Sequence, residues 1–171
     1  MELVIVRTWE GVPVRSDEEV RLTLSGDSAA LIVDISAVYH GDPAPTGPPG
    51  ATDRLWEHEV AELFLVGEGE RYTEIELGPH GHHLVLRLHG IRHPVETLLP
   101  LDYTARIEGG RWTGRARIPR SYLPDPVRSM NAYAIWGPPE RRRYLAWSPV
   151  PGPAADFHRL SLFPPLPRPL P

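Results

Sequence analysis

Residues 59–77 read EVAELFLVGEGERYTEIEL, and this stretch decides the fold. Val60, Glu62, Phe64 and Val66 alternate with Ala61, Leu63 and Leu65, the two-residue period of a strand. Gly67-Glu68-Gly69 then makes a turn, and Arg71–Leu77 alternates again, with Tyr72, Glu74 and Glu76 on one face. An antiparallel pair of this kind places acids from both runs on the same surface.

The pattern repeats outward in both directions. Strands are expected at Met1–Trp9, Val20–Leu24, Ala30–Ser36, His83–Leu88, Tyr103–Glu108, Trp112–Ile118, Asn131–Trp136 and Tyr144–Trp147, with turns at Gly26-Asp27 and Gly109-Gly110. Short strands at regular spacing predict an all-β protein, an antiparallel β-sandwich with little helix. The one helical candidate is a single turn near Arg120–Leu123, stopped by Pro124. Residues 1–164 are read as a single domain and residues 165–171 (PLPRPLP) as a Pro-rich extended tail. Residues 40–53 (HGDPAPTGPPGATD) form a long Pro/Gly loop, of a length that often carries function.

Composition narrows the function classes. The 171 residues include 15 Gly and 21 Pro, yet 41% are hydrophobic, enough for a sizeable core. The net charge of −4 offers no basic face, so nucleic acid is not an expected partner. No apolar run is long enough for a bilayer helix, and no membrane partner is expected. Met1–Trp9 carries Glu2 and Arg7 and lacks the apolar core of a signal peptide, so the expected location is cytoplasmic. Without Cys there is neither a disulfide nor a thiolate site. All 18 basic residues are Arg, there is no Gln, and Asn131 is the sole Asn, so polar ligands must be held by other groups.

Four clusters are candidates for chemistry. In residues 56–64 (WEHEVAELF), Glu62 falls among apolar neighbours, where a carboxylate is either paired to fix register or set at the floor of a groove overhung by Trp56. Glu74, with Glu59 or Glu62 from the neighbouring strand, can form a carboxyl pair, or belong to a solvated face. His80 and His83 lie in a His-rich turn, GPHGHH, which reads first as a hairpin turn. It lacks Asp or Cys at ligand spacing, so no metal is assigned. Near the C-terminus, Asn131 and Arg143 supply donors and Trp136 and Trp147 flat apolar faces. Asp156 and His158 point the same way on an extended chain. No phosphate-binding loop or nucleophile elbow is present, and no cofactor is expected.

Several of these segments, in order, resemble an uncharacterised family whose human member is named only as a chromosome 4 open reading frame product. They are Trp9–Pro13, Asp34–Ala37 with Asp42–Pro45, Leu55-Trp56 with Glu59-Val60 and Glu62, Glu74–Leu77 with Pro79–Gly81, His83 and Leu84, Asn131 with Ala134-Ile135, and Asp156–His158. More distantly, the chain is similar to the superfamily of family-9 carbohydrate-binding modules and DOMON domains, β-sandwiches that bind sugars or haem. In the sugar-binding modules a Trp ahead of a V-E-x-F strand walls the site and the Glu bonds the sugar. Trp56 with Val60–Phe64 is similar, the Val shifted by one place. A second Trp after an Arg-bearing hairpin closes the other wall there, and Trp147 after Arg143 is similar, while Asn131 falls where those modules place an amide. The resemblance implies a non-catalytic domain binding a small molecule, a saccharide or sugar-like polar metabolite, between Trp56 and Trp147. One alternative is a small enzyme using a Glu with His80 or His158 on a sugar-like or ester substrate. Another is a protein-interaction domain using the loop and tail.

Overall fold

The computed structural model describes residues 1–171 as twelve strands and five single turns of 3-10 helix. The strands are β1 (Glu2–Ile5), β2 (Arg7–Thr8), β3 (Val20–Gly26), β4 (Ala30–Val38), β5 (Val60–Val66), β6 (Arg71–Leu77), β7 (His83–His89), β8 (Pro94–Glu96), β9 (Asp102–Glu108), β10 (Arg111–Pro119), β11 (Ser129–Trp136) and β12 (Arg143–Ala146). Two antiparallel sheets result. One has the order β1-β3-β4-β10-β9, the other β2-β12-β11-β5-β6-β7-β8. The all-β sandwich expected from strand spacing is the fold observed.

Alternation builds the core between the sheets. Leu22, Leu24, Val33 and Ile35 project from the five-stranded sheet, and Leu63, Leu65, Ile75 and Ala132 from the other, all at 3% exposure or less. Each large aliphatic side chain so buried contributes about 1.5–3 kcal/mol. The β3–β4 hairpin needs Gly26 at its end: φ is +152°, and a Cβ there would lie 2.3 Å from the Ala30 carbonyl oxygen.

The seven-stranded sheet is buried on its second face as well. Phe64, Tyr72, Leu88 and Tyr133 pack there beneath Val150, Leu160 and Phe163, which belong to the segment following β12. Strand β5 is consequently buried along its whole length, so alternation there separates two interiors rather than inside from outside.

Two irregular stretches are tied down. In the Pro/Gly loop, the Asp42 carboxylate accepts from the Gly137 N–H at 3.0 Å, and Ala51 bridges to His83. In the tail, the Leu166 N–H donates to the Arg128 carbonyl, and Leu166 and Leu170 pack against the main core. The helical turn expected near Arg120 is a 3-10 turn over Arg120–Tyr122. No helix is long and apolar enough to cross a membrane.

Candidate functional site

A cavity of about 390 Å³ opens on the outer face of the seven-stranded sheet, bounded by β5, β6, β7, β11 and β12 and roofed by the segment after β12. That volume suits a small ligand. Its floor is set by register. Glu62 on β5 pairs across to Glu76 on β6, and Glu74 lies one pleat along the same face, opposite Phe64. Glu62 and Glu74 line the cavity. Glu76 lies on the same face, fully buried.

These acids lack the usual compensation. Glu62 Oε2, Glu74 Oε2 and both Glu76 oxygens have no hydrogen-bond partner. Burial pushes Glu62 and Glu76 well above the ordinary carboxylate value, and repulsion from neighbouring acids adds to it. Burial pushes Glu74 up to about 7. The floor is therefore biased towards the protonated form, whose carboxyl groups offer O–H donors alongside acceptors.

The walls are aromatic. Trp56 sits on the 3-10 turn Leu55–Glu57 and remains 40% exposed. Leu55 anchors that turn from below, and Arg142 holds it from the side, donating to the Trp56 and His58 carbonyls at 2.7 Å each and to the Gly137 carbonyl at 2.6 Å. Phe157 lines the same cavity. Its ring stacks on Tyr133 at 3.8 Å between centroids and meets Tyr144 edge-on at 6.0 Å.

His158 completes the rim. Its Nδ1 lies 2.8 Å from the Tyr72 hydroxyl, which in turn accepts from the Arg92 N–H at 2.9 Å. Its Nε2 stands 3.9 Å from Glu74 Oε2. Burial, reinforced by the Arg92 guanidinium, lowers the His158 pKa to about 4, so this contact joins two neutral groups rather than an ion pair. Burial pushes the Tyr72 hydroxyl up to about 12. Asp156 accepts from the His158 N–H at 3.0 Å and from Arg92 at 2.8 Å. Burial opposes its ionisation, but these two donors outweigh it and hold its pKa below the ordinary range.

Of the residues singled out in the sequence, Trp56, Glu62, Glu74 and His158 line this cavity, with Asp156 bracing His158. The others lie elsewhere. Trp147 packs against the core between the sheets and does not line the cavity, whereas Phe157 does. Strand parity explains the difference. Tyr144 and Ala146 face outward with Tyr133, so Leu145 and Trp147 turn inward. Arg143 reaches Glu18 at 3.0 Å. Glu59 is buried, its carboxylate accepting from the His40 N–H at 3.0 and 3.1 Å, and burial raises its pKa to about 7. His80 contacts the Tyr39 hydroxyl and the Asp42 carbonyl, each at 3.2 Å. His83 is buried edge-on to Tyr103, and burial lowers its pKa. Asn131 is wholly buried. It donates to the Tyr133 hydroxyl and the Ser148 carbonyl and accepts from the Ser148 N–H, which ties β11 to the start of the roof.

No set of three His, Asp or Glu side chains converges with metal-ligand geometry. Arg142, Phe157 and Tyr144 carry the site without having been singled out. Their signal in sequence was confined to their place in aromatic and Arg-rich runs late in the chain.

No protein-family model matches the chain. Curated relatives do. The human UPF0462 protein C4orf33 is 40% identical over 172 residues, covering 95% of this chain and 86% of its own. The Mus musculus homologue is 41% identical over 174 residues, with 96% and 90% covered, and the Danio rerio homologue 39% over 172, with 95% and 87%. Among solved structures, a candidate carbohydrate-binding protein from Bacteroides uniformis superposes with a TM-score of 0.73 at 16% identity, over 95% of this chain and 84% of that one. A family-9 carbohydrate-binding module from Caldicellulosiruptor kristjanssonii, solved with cellotriose, gives a TM-score of 0.50 at 13% identity, over 78% and 67%. At such identities the likeness is one of fold.

Proposed function

The chain belongs to the UPF0462 family and has a carbohydrate-binding-like sandwich fold, and from that premise we propose that it binds a saccharide or sugar-like polar metabolite in the cavity between Trp56 and Phe157. One observation carries this reading: flat aromatic surfaces stand over a floor of buried carboxyl groups with free oxygen atoms. Sugar rings present C–H faces that stack on indole and phenyl rings, and hydroxyls that need a few fixed donors and acceptors. Protonated Glu62 and the Glu74 carboxyl meet that need without imposing a charge on a neutral ring.

The test is a fluorescence titration of the protein with a panel of mono- and disaccharides, repeated on Trp56→Ala. Saturable quenching or enhancement that vanishes in the variant supports the proposal. A wild-type signal unmoved by every sugar refutes it.

A second reading is acid–base chemistry on the same ligand. It is favoured by Glu74, whose pKa lies near neutrality, standing beside the neutral imidazole of His158. Turnover of aryl glycosides or esters, with a pH–rate profile that loses one limb in Glu74→Gln, would establish it. Binding without turnover across such a panel would exclude it.

A further inference from the structure

Buried acids are ordinarily matched by a cation or by several hydrogen bonds. Glu62, Glu74 and Glu76 are 2%, 5% and 0% exposed, four of their six carboxyl oxygens lack a hydrogen-bond partner, and no Arg pairs with any of them. The surrounding cations are committed elsewhere. Arg142 spends its guanidinium on three backbone carbonyls and stands 3.6 Å from Asp42. Arg92 is paired with Asp156. The chain contains no Lys. The hydroxyls facing the floor, Tyr72 and Tyr133, already bond His158 and Asn131.

The fold thus assembles an acidic floor whose nearest cations, Arg142 and the cavity-lining Arg92, act on it only from a distance and pair with none of the three acids. A bare metal ion is a poor match, because three ligating side chains do not converge and the walls are aromatic. Aromatic faces above carboxyls suit an organic ammonium, which gains from both. Resting on the saccharide reading above, we propose that the preferred ligand is an amino sugar, a hydroxylated ring bearing a protonated amine, with its ammonium against Glu62 and Glu74 and its ring between Trp56 and Phe157. The balance is simple. A neutral carboxyl group and the ammonium ligand give a carboxylate–ammonium pair and release one proton to solvent.

The experiment is calorimetry at about pH 7 with three probes, glucosamine, glucose and cyclohexylamine, in two buffers of different ionisation enthalpy. Glucosamine should bind at least about tenfold more tightly than glucose and release a measurable fraction of a proton. Glu62→Gln should erase both the discrimination and the proton release, and Glu74→Gln serves if that variant does not fold. Equal affinity for glucose and glucosamine, without proton release, overturns the inference and leaves the saccharide reading intact. Cyclohexylamine binding as tightly as glucosamine, with glucose silent, overturns the saccharide reading and the amino-sugar assignment with it. No binding of any probe refutes both.

Discussion

Raising the pH above neutrality should destabilise this protein, and Glu76→Gln or Glu62→Gln should relieve the loss. In the unfolded chain these acids take the ordinary value of 4.5 and are ionised by about pH 7. In the folded state both retain their protons well above that value, because burial disfavours the carboxylate. The folded state then binds more protons than the unfolded one, so stability is greatest below about pH 4.5 on this account and falls as pH rises towards the folded pKa. Each retained proton costs about 1.4 kcal/mol per pH unit, and two cost about 2.7.

Groups of opposite sign act in another window. His158, with its pKa lowered to about 4, and His40, His82 and His83, also lowered by burial, favour the folded state as pH rises, but only up to about 6.5. Glu59 and Glu74, both at about 7, add to the fall up to and around neutrality and have largely completed their contribution by about pH 8. No Lys or Cys is present to confuse the range from 7 to 9. Urea unfolding at about pH 7, 8 and 9 should show ΔG falling as pH rises, by at most about 1.4 kcal/mol per unit for each proton still retained, with a smaller fall in either single variant. A flat or rising wild-type profile, or variants that keep the full slope, would refute the reasoning.

Three further outcomes are expected. Asn131→Ala should lower the unfolding free energy from denaturant titration by about 3 kcal/mol, since it strands buried partners on β11 and at Ser148, each bond being worth about 1 kcal/mol. Trp56→Ala should change unfolding free energy by no more than about 0.5 kcal/mol, because the side chain is 40% exposed, while removing any fluorescence response to sugar. Arg142→Lys should weaken ligand binding nearly as much as Arg142→Ala, measured by the same titration, because one ammonium cannot serve three carbonyls set at different angles around a planar fork.

The sandwich was legible because its strands obey a simple period and its turns carry glycine. Strand β8, Pro94–Glu96, was not anticipated: three exposed residues beginning with Pro give neither alternation nor β-branched density. In the site, the acids announced themselves by breaking an apolar pattern, as Glu62 does within VAELFLV. Trp147 is similar to a wall position of the sugar modules by its place late in the chain, yet its parity with Leu145 turns it towards the core between the sheets. Phe157 gave no periodic signal at all, since it lies in an irregular stretch placed by tertiary packing.

The roof of the cavity is one continuous run of about fifteen residues that contributes no strand to either sheet. The floor is the reverse, fixed by neighbours on both sides through the ladder. Val150, Leu160 and Phe163 hold the run down over the second core, and the residues between them are free of that duty. Grafting a different run between Pro151 and Arg159 would reshape what the protein accepts while those three anchors and the twelve-stranded frame stay in place.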